Sequence, residues 1–344
     1  MAQIDKPNLH FNSVLWDGNN SSTTHTVGFQ PDFCWIKQRE DDGYSHMLFD
    51  AIRGATKYIS SNESNAEATG SQDLTAFTGT GFTVGTSNLV NRSGDTYVGW
   101  NWKAGTGQGS SNTDGSINTT YTSVNTTAGI SISKYSGTGS NATVGHGLGA
   151  VPKFMMIKET NGTRNWRVYH HDVGNAAVMY LNTNSGSVGD STAFNSTTPT
   201  SSVFSVGTSG GTNASGSTYI AYVFAEKKGF SKFGEWTANN STDGPFLYTG
   251  FKPAFFIAKR TGSTGNWHIY DNKRDGYNVR NWRLAADNGA VEDLGTASYI
   301  DILSNGIKIR SNQNSLNNHT GGMVYMAFAE NPIVGSNNIP AVGR

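Results

Sequence analysis

Cysteine is almost missing: Cys34 is the only one in 344 residues. No intramolecular disulfide can form, and no cysteine-based zinc cluster can assemble. Its neighbours Phe33 and Trp35 point to a buried structural thiol, not a reactive one. Charge is scarce as well. Charged residues make up 15% of the chain, against about 25% in ordinary proteins. Lys+Arg and Asp+Glu balance at 25 each, so the net charge is zero. That balance is poor for duplex nucleic acid, which is gripped by Lys and Arg on phosphate, and poor for an anionic membrane surface. No apolar run approaches the ~20 residues that cross a bilayer, so membrane insertion is not expected. The opening "MAQIDKPNLHFNSVLW" lacks the basic start and apolar stretch of a signal peptide. Release by a route other than general secretion, such as lysis, is the corresponding expectation.

Catalytic and cofactor motifs are missing too. No His-x-x-x-His or His-Glu-x-x-His spacing occurs, so no helical zinc site is signalled. "GTGQG" and "GTSGG" lack the Lys-Ser/Thr of a phosphate loop, and no Gly-x-Ser-x-Gly elbow appears. Acids are sparse and read as not recurring with the repeat described below. Paired glycosidase carboxylates brought from distant strands stay open. His170-His171-Asp172 could touch a metal, but neighbouring strand residues face opposite ways, which favours a polar strand end. His146, between glycines, reads as a turn residue. Asp41-Asp42-Gly43 lacks the spaced acids of a calcium loop and reads as an acidic turn. Asp271, Arg274 and Asp275 read as a surface ion-pair group. No catalytic residue, cofactor or metal is expected.

What is present is glycine, 42 residues of it, among abundant Ser, Thr and Asn. It punctuates a phrase written three times. "GFQPDFCWIK", "GAVPKFMMIK" and "GFKPAFFIAK" each run Pro-x-Phe, three mostly apolar residues, then Lys. A polar turn and a second strand follow, "HMLFD", "WRVYH" or "WHIYD", and each copy ends on an apolar strand, "TYVGWNWKA", "TYIAYVFAE" or "VYMAFAEN". The prolines stand at 31, 152 and 253, which sets a unit of roughly 100 residues, the size of a small domain. Proline suits the first residue of a strand, and the glycine before it supplies the turn. The strand after it is apolar at consecutive positions and must be covered on both faces. The second strand alternates more, as with one solvent face. "FDAIRGATKY" (49–58) is the best helical candidate, weakened by Gly54.

Strands this short, with turn signals every 8–12 residues, predict an all-β protein of three tandem β-sandwich, jelly-roll-like modules. The boundaries read as module 1 over 1–104, a Gly/Ser/Thr/Asn-rich flexible or extended linker over 105–128, module 2 over 129–228, module 3 over 229–331, and an extended tail over 332–344. Trp166 and Trp267 occupy matching places, with His46 at the same place in the first copy. These three are the candidate contacts for a glycan or partner, with core packing as the alternative.

The phrases "ATVGHGLGAVPKFMMIK", "SKFGEW", "STDGPFLYTGFKPAFFIAKR", "YIAYVFAE" and "MAFAENP" resemble a repeat family of virion structural proteins in marine tailed bacteriophages, of tail-fibre-like kind. The resemblance runs from about Pro7 to Arg344 and carries no catalytic residues. It implies a particle component made in the host cytoplasm and released by lysis: a tail fibre or adhesin, contacting other virion proteins and a host surface glycan. Homotrimerisation is expected by analogy with fibres. A capsid decoration or head–tail component is the alternative of the same class. A polysaccharide-cutting depolymerase spike is the enzymatic alternative, though such spikes are usually β-helices with carboxylates along a groove.

Overall fold

The computed structural model describes residues 3–295, 299–318 and 321–333. Most of the tail expected from 332 onward, and His319, lie outside the described residues. The fold is an all-β sandwich assembly. Among the described residues, helix is limited to single turns at Pro7–Leu9, Asn88–Asn91 and Gly210–Asn213.

Each copy of the repeated phrase builds one large antiparallel sheet. In the first, Phe11–Asp17, Thr96–Trp102, Phe33–Gln38, Met47–Asp50, Lys57–Ser60 and Ala68–Thr69 lie side by side in that order. The second sets Tyr121–Asn125, Ile130–Ser136, Thr218–Phe224, Phe154–Glu159 and Arg167–His170 in a row. In the third come Ser231–Thr237, Gly322–Pro332, Phe251–Arg260, His268–Asp271 and Leu284–Ala285. A smaller sheet covers one face of each: Thr23–Thr26 with Gly81–Val84 and Leu74–Thr78, then Ala142–Gly145 with Val203–Val206, then Phe246–Tyr248 with Gly306–Ile309 and Ile300–Leu303. The turn glycines Gly28, Gly149 and Gly250 each stand three residues before the proline, at φ of 93°, 65° and 81°, a conformation that only glycine adopts without strain.

The doubly apolar strands sort their side chains by face. Cys34 and Ile36 pack with Phe82 and Val84 in the first sandwich. Met155 and Ile157 pack with Phe204 and Val206 in the second, and Phe256 and Ala258 with Ile307 and Ile309 in the third. The alternate residues, Phe33 and Trp35, Phe154 and Met156, Phe255 and Ile257, all enter one further core that draws on all three repeats. The register is the same each time: Phe33 opposes Trp102, Phe154 opposes Phe224, and Phe255 opposes Phe328. Across repeats, the Trp102 ring lies 5.4 Å from Phe255 and 5.6 Å from Phe328, and Phe328 lies 5.8 Å from Phe224. The large sheets therefore turn their second faces toward each other around a shared aromatic centre. Both faces of these strands are covered within one chain, so they offer no surface to a homotrimer.

Three local expectations change. Met47–Asp50 is buried at every position, not half wet, because the shared core takes the face assigned to solvent. Residues 49–58 form no helix: strand, turn and strand follow one another, with Gly54 at φ 92° and Thr56 at 71°. The segment 105–128 is a built element and not a flexible linker. It contributes Tyr121–Asn125 to the second sheet, and its Thr106 and Gly107 N–H groups donate to the Asp32 carboxylate at 3.0 and 2.7 Å. Polar side chains hold backbone groups there where apolar ones are few.

Candidate functional site

The three residues expected at a glycan or partner surface are interior. His46 and Trp166 have no exposed surface, and Trp267 has 1%. Each opens the strand beside the Pro-x-Phe strand, and each is fixed in the same way. Its backbone N–H donates to the side chain of Asn62, Asn182 or Asp287 at 2.9, 3.0 and 2.8 Å. Its ring N–H then crosses to a carbonyl of another repeat. Trp166 Nε1 donates to Ser60 O at 2.9 Å, Trp267 Nε1 to Tyr180 O at 2.9 Å, and His46 Nε2 to Ala285 O at 3.0 Å. Because a carbonyl only accepts, the His46 hydrogen sits on Nε2. Its Nδ1 is left to accept from Trp35 Nε1 at 2.9 Å. Burial holds the His46 pKa well below the usual histidine range. A sugar stacks on an exposed ring face, and these rings have none.

The first copy carries Trp35 with His46, where the others carry Met156 with Trp166 and Ile257 with Trp267. Large and small residues trade places around one filled volume. His46→Trp is expected to overpack and cost about 1–3 kcal/mol, and adding Trp35→Met should recover most of the loss in denaturant melts. A double variant no more stable than the single one would mean that the two places do not share a volume.

A second bond crosses each junction. Asp50 accepts from the Arg53 N–H at 2.8 Å, pairs with Arg53 Nε at 2.5 Å, and takes the Tyr222 hydroxyl of the second repeat at 2.7 Å. Asp271 does likewise, with the Arg274 N–H at 2.9 Å, Arg274 Nε at 2.5 Å, and Trp100 Nε1 of the first repeat at 3.0 Å. Burial alone would raise the Asp271 carboxyl, but Arg274 beside it reverses this and holds its pKa below the usual range. Both pairs are fully buried. The surface group expected at Asp271, Arg274 and Asp275 is therefore a core ion pair, and acids do recur with the repeat at these two places. The second repeat carries His170 and Val173 there instead. His170 Nε2 donates to Tyr325 O of the third repeat at 3.1 Å, and burial lowers its pKa to about 3.

His170 and His171 do not face opposite ways. His171 lies past the strand end at His170, and the two rings stack with centroids 5.0 Å apart. Asp172 completes a close group, with its Oδ1 3.1 Å from His171 Nδ1. The ring nitrogens are already engaged: His170 Nδ1 accepts the Asp172 N–H at 3.2 Å, and His171 Nε2 faces Phe233 O at 3.3 Å. This is a hydrogen-bonded junction between two repeats. Asp41-Asp42-Gly43 also docks on the third repeat, with Asp42 Oδ1 accepting the Val291 N–H at 2.8 Å and the Gly43 N–H donating to Gly289 O at 3.1 Å. His146 is held within its turn, where Nδ1 accepts the Leu148 N–H at 3.2 Å. Cys34 is fully buried, and burial pushes its thiol pKa well up.

Two repeated features escaped the sequence reading. The lysines closing the phrase, Lys37, Lys158 and Lys259, are buried. Lys37 Nζ donates to Gln38 O at 2.6 Å, Lys158 Nζ to Glu159 O at 2.7 Å, and Lys259 Nζ to Asn184 O of the second repeat at 2.9 Å. Burial lowers all three pKa values to about 8. The buried Asn91, Asn213 and Asn317 each clamp the loop after the opening strand, donating to the carbonyls of Ser21, Ser140 and Ser241 at 2.6, 2.6 and 2.7 Å.

Repeat-matched groups thus face inward, while one departure from repetition lies at the surface. It is in the third repeat. Arg53 to Ile59 and Val173 to Met179 span six steps, whereas Arg274 to Leu284 spans ten. The added chain carries Tyr277, 86% exposed, over a cleft of about 600 Å³ lined by Lys252, Asn272, Lys273, Arg280 and Glu330, among others. The side chain of Asn278 fixes the loop to the Ile300–Leu303 strand: its Nδ2 donates to Ile302 O at 2.9 Å and its Oδ1 accepts the Ile302 N–H at 3.0 Å. Phe246, Tyr248, Val279, Val291 and Leu294 are exposed in the same repeat.

No curated protein and no solved structure matches the chain. A single family model, described as a domain of unknown function, DUF7483, covers residues 6–332 and so takes in all three copies of the phrase at once. The chain belongs to that family.

Proposed function

We propose that the chain is a non-catalytic structural protein of a tailed-phage particle, a tail-fibre or adhesin component that meets the host surface. One observation carries this reading. Repeat-matched ionisable groups are spent inside the protein: Asp50 with Arg53, Asp271 with Arg274, and Lys259 reach across to a neighbouring repeat, while Lys37 and Lys158 are buried against carbonyls of their own repeats. They build a stiff body, and the third repeat presents an irregular outer face on it. A neutral, charge-poor chain limits indiscriminate adhesion, which suits a part exposed on a particle. The phage resemblance supplies the setting: synthesis in the host cytoplasm and release by lysis. Because both faces of the Pro-x-Phe strands are covered within the chain, trimerisation is no longer a requirement of this role.

Gold-labelled antibody against the chain, imaged on intact particles, tests the placement. Label at the tail tip or fibres is expected, and label spread over the capsid shell would overturn the tail assignment. Purified protein incubated with host envelope polysaccharide is expected to release no reducing ends. Release that disappears on changing one carboxylate would end the non-catalytic reading.

A further inference from the structure

The cleft of the third repeat holds a buried arginine that no carboxylate of the described residues contacts directly, with Asp275, Asp271 and Glu330 acting on it only through space. Arg280 is 5% exposed. Its Nη1 and Nη2 reach only the carbonyls of Asp271 and Gly276, both at the long distance of 3.4 Å, and its Nε has no partner. The matching-type guanidiniums of Arg53 and Arg274 each sit on a carboxylate at 2.5 Å; Arg280 forms no ion pair among the described residues. The nearby Asp275 turns a carboxylate oxygen to the Asn281 N–H at 3.0 Å. Lys273 adds positive charge to the same cleft, while Lys252 is matched by Glu330 at 2.8 Å. Asn272 Oδ1 is buried there without a hydrogen-bond partner. An unpaired buried guanidinium is costly and selects a planar or tetrahedral oxyanion in water-poor surroundings.

We propose that this cleft binds an anionic group carried on a sugar ring, a uronate carboxylate or a sugar phosphate, with Arg280 meeting the charge and Tyr277 the ring face. Its volume is that of a small-molecule site. Its lining is mostly polar, with Ile302 as the aliphatic exception, which disfavours an apolar peptide side chain. Asn272 Oδ1 is free to accept from a sugar hydroxyl. Tyr277 offers an amphipathic ring beside the charge, and Asn278 holds its loop in place. The preference for a sugar over a free anion rests on the host-contact role proposed above; the anion itself does not.

Calorimetric titration of the intact chain with a tetragalacturonate, glucose 6-phosphate, a neutral tetrasaccharide and inorganic phosphate tests the site. Binding of the uronate or the sugar phosphate is expected, weakened at least tenfold by Arg280→Gln and about threefold by Tyr277→Ala, with the neutral sugar at least tenfold weaker. The uronate and phosphate arms identify which anion is preferred. Tyr277 is largely exposed, so Tyr277→Ala and Lys273→Gln keep the test valid if Arg280→Gln fails to fold. Equal binding of the neutral sugar, binding of inorganic phosphate indifferent to Tyr277, or no binding in any arm would overturn the proposal. Tail labelling without sugar binding would sink the site alone; sugar binding without tail labelling would sink the particle assignment alone.

Discussion

Asp50→Ala is expected to cost about 3–5 kcal/mol, the penalty for stranding one member of a buried ion pair. Arg53 has no exposed side-chain surface, and beyond Asp50 its nearest carboxylate is Glu67 at 3.6 Å. The Tyr222 hydroxyl would lose its acceptor at the same time, so the damage falls on the junction between the first and second repeats. The double variant Asp50→His with Arg53→Val should behave differently. It writes into the first repeat what the second already carries, His170 with Val173. A buried pair replaced as a unit is often neutral, so the double variant should recover at least half of the loss. Urea melts of the three proteins decide this. A double variant as unstable as Asp50→Ala would mean that the two places are not equivalent.

Stability should rise, not fall, between pH 7 and pH 10. Lys37, Lys158 and Lys259 have pKa values of about 8 in the fold, against an ordinary 10.5. Between those values the unfolded chain holds protons that the folded chain has released, so raising the pH favours folding. Each lysine contributes up to roughly 3 kcal/mol, a gain complete only above 10.5 and absent below 8. Above pH 10 the trend reverses. Burial raises the pKa values of Tyr97, Tyr135 and Tyr222, so the unfolded chain ionises first and gains from further base. On the acid side, burial lowers His25 to about 4 and His170 and His268 to about 3. The unfolded chain then takes up protons first as the pH drops below 6.5, and stability is lost from there down to about pH 3. Lys158→Met should stabilise the protein at pH 7 by roughly 1–3 kcal/mol and flatten the alkaline rise. Urea midpoints at pH 7, 8.5 and 10 test both statements. A flat or falling midpoint over that range in the unmodified protein would show that the lysines are solvated.

Local chemistry made the strands legible. Gly28, Gly149 and Gly250 with their prolines set the turn, and the apolar run after each states that a strand is covered twice. What covers the second face is not a local property. Phe33 and Cys34 look alike in sequence, yet one meets the shared core and the other its own sandwich. The buried charges were misread for a related reason: Asp and Arg are nearly always solvated unless paired, and their cross-repeat partners are remote in the chain, as with Asp50 and Tyr222, 172 residues apart. The signal was nonetheless present. Asp50 with Arg53 and Asp271 with Arg274 share both spacing and place in the repeat. The aromatic candidates failed because matching position marks common packing, while the cleft lies where the copies stop matching, at the extra residues before Leu284.

Differential scanning calorimetry of the whole chain tests the shared core most directly. One transition is predicted, with a van't Hoff enthalpy close to the calorimetric one, because Phe33, Phe154, Phe255, Trp102, Phe224 and Phe328 belong to a single core. Two or three resolved transitions, with a calorimetric enthalpy well above the van't Hoff value, would contradict it and make the repeats independent.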